Sequence, residues 1–136
     1  MKHLLSTSLI LTFISTTGFA ADPVSLGQKV FKKCTACHAI IDDNGEVLRK
    51  GGKAGPNLYG IIGRTAGSAE FRYSKALKAA GAGGLVWDEV ELAAFILNPS
   101  AYLKAVLDDK KARSKMAYKL KKGGSDVAAY LKSMSE

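Results

Sequence analysis

Cys34-Thr35-Ala36-Cys37-His38 decides how the rest of this chain is read. Two cysteines separated by two residues, with histidine directly after, is the spacing that attaches a c-type haem. The chemistry explains the spacing. Each thiol adds across one haem vinyl group to form a thioether. Residues three apart share a face of a helical turn, so both sulfurs can meet the edge of one macrocycle. His38 can then offer an imidazole nitrogen to the iron. Three plainer readings compete: a redox dithiol, half of a zinc site and a structural disulfide. Structural zinc usually takes four protein ligands, and beyond residue 20 there is no further Cys and no second His. A thioredoxin-like dithiol calls for a surrounding βαβ pattern, and no such pattern is visible.

Upstream of the motif, residues 1–20 read as a cleaved secretory signal peptide. Met1-Lys2 is a short basic start, and Leu4 to Ile14 is apolar but too short to span a bilayer. Gly18-Phe19-Ala20 puts small residues where a signal peptidase reads them. Cleavage is expected after Ala20, leaving residues 21–136 as one domain in the periplasm. No later stretch is apolar for long enough to cross a membrane. The chain carries 20 Lys and Arg against 12 Asp and Glu, a formal net charge of +8. Such a balance suits acidic proteins, nucleic acid or membrane surfaces. Export argues against nucleic acid.

The remainder reads as short helices between long loops. Asp22-Pro23 is an N-cap followed by proline at the first helical position, which predicts a helix over residues 23–33. Residues 42–55 are polar and glycine-rich, a loop. Residues 74–80 predict a short helix with Gly81 just past its end. Asp88 and Glu91 form a capping-box pair, opening a helix that stops before Asn98-Pro99. Another helix begins near Pro99. Ser125 is expected to cap the last helix, whose buried stripe is Val127, Tyr130, Leu131 and Met134. No alternating strand run stands out, so the fold class is all-α. Loops this long need something to pack on, and a central haem would supply it.

A second axial ligand is sought by elimination. His3 departs with the leader, leaving His38 as the single histidine. The soft donors are Met116 and Met134. Met134 sits on an apolar stripe, whereas Met116 is an isolated thioether in a basic loop, which favours Met116. A lysine ligand or an open sixth position are the alternatives. His/Met ligation raises the reduction potential and leaves no ready site for oxygen or peroxide. That suits electron transfer rather than catalysis. A peroxidase or gas sensor would want a distal acid–base residue, and no second histidine is offered for it.

With Cys34–His38, Gly55-Pro56-Asn57-Leu58, Trp87, Asn98-Pro99 and Lys115-Met116 in this order, the chain resembles class I c-type cytochromes, most of all the longer bacterial cytochromes c2. The resemblance implies a cytochrome c fold with crossed terminal helices around one haem c, thioether-linked to Cys34 and Cys37. It implies iron ligation by His38 and Met116. Pro56 would then accept from the ring N–H of His38, and Arg64, Tyr73 and Trp87 would hydrogen-bond around the haem propionates. Ser114 would sit beside the ligand-bearing loop, and Gly27, Phe31, Val127 and Tyr130 would form the helix crossing. The implied function is a non-enzymatic, monomeric one-electron carrier. It would run between a quinol–cytochrome c oxidoreductase and either a cytochrome oxidase or a photosynthetic reaction centre. Phe95 departs from the many relatives that carry a tyrosine there, and residues 101–113 form an insertion. Lys32, Lys33, Lys110, Lys111, Arg113, Lys115, Lys119, Lys121 and Lys122 are expected to ring an exposed haem edge and steer docking to acidic membrane complexes.

Overall fold

The computed structural model describes residues 21–136. The expected leader, with His3, lies outside the described residues. Among the described residues, five helices carry the fold: α1 (Pro23–Phe31), α2 (Lys75–Ala82), α3 (Glu89–Leu97), α4 (Pro99–Val106) and α5 (Gly124–Ser133). A two-stranded antiparallel ladder, β1 (Ile40–Ile41) with β2 (Val47–Arg49), is added between α1 and α2.

Helix α1 starts as its sequence dictates. The Asp22 carboxylate accepts from the Ser25 N–H at 3.0 Å, and Pro23 occupies the first turn. It ends two residues earlier than expected. Lys33 N and Cys34 N bond to the carbonyls of Val30 and Phe31, an i→i−3 pattern that tightens the chain into turns. Those turns carry the cysteine motif.

Helices α1 and α5 cross at Gly27. A Cβ there would lie 2.7 Å from Tyr130 Cβ and closer still to the Asp126 carbonyl. The glycine therefore exists for the crossing, at a cost of about 1 kcal/mol in helix propensity. The contact is completed by Phe31 on Tyr130, ring centroids 5.4 Å apart. Phe31, Val127, Tyr130 and Leu131 are all buried; for Phe31, Val127 and Leu131 that burial is worth roughly 1.5–3 kcal/mol each.

Four expectations are corrected by tertiary packing. Residues 42–55 are not all loop. Asp42 Oδ1 accepts from the N–H groups of Asn44 (2.9 Å) and Glu46 (2.7 Å), and Gly45 takes a positive φ of 85°. This turn folds β2 back on β1, whose two residues are too few to show an alternation. Gly81 lies inside α2, not past it, and must be glycine there because a Cβ would strike the Ala66 carbonyl; Gly83 is the cap. The last helix is capped by Gly123 at φ 82° with no side-chain bond, and Ser125 falls within its first turn. A Cβ at Gly123 would sit 3.0 Å from Val30 Cγ2, so close approach to α1 selects glycine.

The capping box at α3 is only half formed. Asp88 accepts from Glu91 N at 2.7 Å. The Glu91 carboxylate instead accepts the Tyr102 hydroxyl of α4. Asn98 caps α4, accepting from Ala101 N. Met134 is half-buried against the core at the end of α5.

Candidate haem site

The helices and loops surround one apolar cavity of about 750 Å³. Cys34, Cys37, His38, Pro56, Arg64, Tyr73, Trp87 and Met116, all named from the sequence, line it together. Met134 does not.

The cysteine motif is held from both sides. Cys37 N and His38 N both bond to the Cys34 carbonyl, at 3.1 and 2.9 Å, closing the turn that brings the two sulfurs to one wall. From behind, Gly52 N bonds to Thr35 O and Gly55 N to Cys37 O, each at 2.8 Å. Residues 51–55 thus form a strap against the motif's backbone. Gly55 is required there, because a Cβ would lie 2.6 Å from His38 Nδ1.

His38 Nδ1 meets the Pro56 carbonyl at 2.8 Å. With Nδ1–H donating, Nε2 carries the lone pair and is free to bind a metal. Burial lowers the imidazole pKa, opposed by the Pro56 bond, so the neutral ligand form is favoured. The Cys34 thiol is pushed up, first by burial and then by Cys37. Redox-active dithiols are marked by lowered thiol pKa values, so this environment disfavours that reading. The two sulfurs are not joined in a disulfide. Among the described residues, no group of three or more His, Cys, Asp and Glu could hold a metal ion by itself. The zinc reading therefore finds no ligand set.

Arg64 and Trp87 reach the cavity from two segments that bond to each other. Gly63 N donates to Trp87 O at 2.7 Å and Trp87 N to Arg64 O at 2.9 Å. The Arg64 guanidinium donates to the carbonyls of Asn57 and Tyr59. Burial raises the Tyr73 pKa, offset in part by Arg64. Trp87 is 4% exposed and packs on Phe95, which also lines the cavity. Phe95 carries no hydroxyl to offer.

The Met116 segment is tied through Met116 itself and the two residues before it. Met116 N donates to Ser114 Oγ at 3.0 Å, and Ser114 N to Ser100 Oγ on α4 at 3.1 Å. Lys115 Nζ donates to the Arg72 carbonyl at 2.8 Å. Ser114 is thus the hydroxyl beside the methionine, and Ser100 on α4 anchors the segment.

Of the nine basic residues expected around the rim, all are exposed but only Lys33 and Lys115 line the cavity. Lys53 and Arg72 join them, and sequence reasoning missed both. Phe71 and Leu77 were missed too. Phe71 stands alone among polar residues, so no periodicity betrays it.

These residues fit a haem. The walls are largely apolar, two unpaired sulfurs and one imidazole face the space, and the strap excludes any side chain behind the histidine. Comparisons with known proteins agree. The family model described as cytochrome c matches residues 24–135. The chain is 51% identical over 135 residues to cytochrome c-551 of Roseobacter denitrificans, covering 99% of this chain and 97% of that protein. It is 46% identical over 135 residues to cytochrome c2 of Rhodobacter capsulatus, covering 98% of each. The solved structure of cytochrome c2 from Rhodobacter capsulatus superposes with a TM-score of 0.80 at 52% identity, covering 81% of this chain and 96% of that one.

Proposed function

The chain belongs to the cytochrome c family, carrying electrons on a covalent haem c, and from that premise we propose that it is a periplasmic shuttle with His38 and Met116 as axial ligands. The haem supplies the one-electron couple. The protein's residues hold it, exclude water and set its potential. The observation that carries the ligand assignment is that His38 and Met116 line one apolar cavity while Nδ1 of His38 is occupied by Pro56. With both axial positions filled by protein, no substrate bond forms and the iron only changes charge.

The remaining parts of this reading follow from the sequence. Residues 1–20 are a leader removed after Ala20, and 21–136 form the working domain. Arg64, Tyr73 and Trp87 serve the propionates. Lys33, Lys53, Arg72 and Lys115 at the cavity wall, with the other exposed lysines, steer a monomer to acidic faces of a quinol–cytochrome c oxidoreductase and an oxidase or reaction centre.

The test is a spectrum of the ferric holoprotein. A sulfur-to-iron charge-transfer band at the red end is expected, and Met116→Ala should abolish it and give a high-spin form. An unchanged band in that variant would assign the sulfur elsewhere. N-terminal sequencing of exported protein should begin at Ala21.

A further inference from the structure

Lys111 and Arg113 do not line the haem cavity. They line a second space, a groove of about 480 Å³ between α2 and residues 107–115. Lys75 and Lys115 stand on its walls as well, and Asp109 is the one acid there. Among the described residues, none of these four cations is ion-paired. Asp109 spends Oδ1 on the Lys111 N–H at 2.8 Å, which holds the turn. Four cations around one carboxylate repel one another, and a cleft walled by one sign of charge concentrates counter-ions.

The donors that an anion needs are unspent. Arg113 Nη1 donates to the carbonyls of Lys110 and Ala112 at 3.3 and 3.1 Å. Those bonds fix the guanidinium and leave its Nε and Nη2 donors available. Lys115 gives one of its three N–H groups to the Arg72 carbonyl. Ser74, only 9% exposed, caps α2 and lines the groove. Its oxygen accepts from Leu77 N at 3.1 Å, and its proton remains to be donated. Helix α2 has no acidic residue in its first turn. Its positive end therefore has no carboxylate of its own to answer it where Ser74, Lys75 and Ala76 meet the groove.

We propose that this groove binds a free phosphate-chain anion, of which inorganic pyrophosphate is the smallest. Guanidinium and ammonium groups match phosphate oxygens, and a chain of phosphates offers charge to both walls at once. A groove walled on two sides admits a free anion more readily than a headgroup fixed in a flat bilayer. Ser74, Ser114 and Lys115 line both the groove and the haem cavity. The bound anion therefore touches the segment that presents Met116, whose N–H donates to Ser114 Oγ.

The test titrates inorganic pyrophosphate into ferrous holoprotein at fixed ionic strength and follows the heat. Saturable one-to-one binding is expected. Lys111→Gln combined with Arg113→Gln should weaken it by about tenfold or more, the scale of one lost charge-assisted hydrogen bond. Lys29→Gln combined with Lys50→Gln removes the same charge from exposed positions outside the groove. Screening should hold that effect below about twofold. Equal weakening by the two pairs, or no saturable binding, would overturn the proposal. Amide shifts of the unaltered protein locate the anion without any substitution. Residues 74–76 and 114–116 should move most, and shifts centred on Lys33 and Lys53 would refute the groove. Phosphatidylglycerol vesicles should leave pyrophosphate bound, and its displacement by them would overturn the free-anion assignment.

Discussion

Gly27→Ala separates local from tertiary control of this fold. Considered alone, α1 should gain about 1 kcal/mol, because alanine is the better helix former. The crossing demands the reverse. The added Cβ would stand 2.7 Å from Tyr130 Cβ, roughly 1 Å inside the optimal carbon separation. The Asp126 carbonyl is closer still and belongs to the backbone of α5, so no rotamer change relieves the clash. The helices must part, loosening Phe31 against Tyr130. Overpacking of this kind costs about 1–3 kcal/mol and occasionally more, which outweighs the propensity gain. We expect a net loss of about 2 kcal/mol. Guanidinium unfolding of the ferric holoprotein, followed by circular dichroism, should show it. With a slope near 3 kcal/mol/M, the midpoint should fall by about 0.7 M with the slope unchanged. A midpoint equal to or above that of the unaltered protein would refute the reasoning, since it would mean that the crossing tolerates a methyl group.

Three further outcomes follow from the site. Gly55→Ala places a Cβ 2.6 Å from His38 Nδ1, so the ring should swing off Pro56. A changed reduction potential and altered ferric resonance spectrum are expected, with helix content retained by circular dichroism. Ser114→Ala removes the acceptor for Met116 N, worth about 1 kcal/mol. Imidazole binding to the ferric protein should tighten about fivefold, and no change would disconnect Ser114 from the methionine segment. Tyr102→Phe should flatten the alkaline limb of stability. The folded-state pKa of Tyr102 is raised, so above about pH 10 the unfolded chain releases a proton that the folded chain keeps, and stability falls as pH rises. Without the phenol that part of the fall should vanish from chemical unfolding series.

Much of this was legible because it is local. Asp22 and Asp88, both read as caps, hold their helices through side chains only three residues from the N–H groups they serve. The cysteine motif likewise closes within a few residues. What escaped the sequence depends on approach between distant segments. Glycine is selected at the α5 cap, Gly123, by Val30 packing against it, and at Gly81 inside α2 by Ala66, which leaves no room for a side chain. Glu91 abandons the capping box because a hydroxyl on α4 lies within reach. The β1–β2 ladder turns on Asp42, whose two backbone bonds outweigh a glycine-rich composition.

The sequence by itself determined the inventory of chemistry. It holds two thiols at haem-attachment spacing and, beyond residue 20, one histidine and the two thioethers Met116 and Met134. An inventory has no geometry. Only the tertiary structure brings Met116 to the cavity wall with His38, held by Ser114 and by Ser100 on α4, while Met134 packs elsewhere on the core. The physical reason is that the sulfur's position depends on hydrogen bonds between α4 and the Met116 segment, which spacing along the chain does not encode.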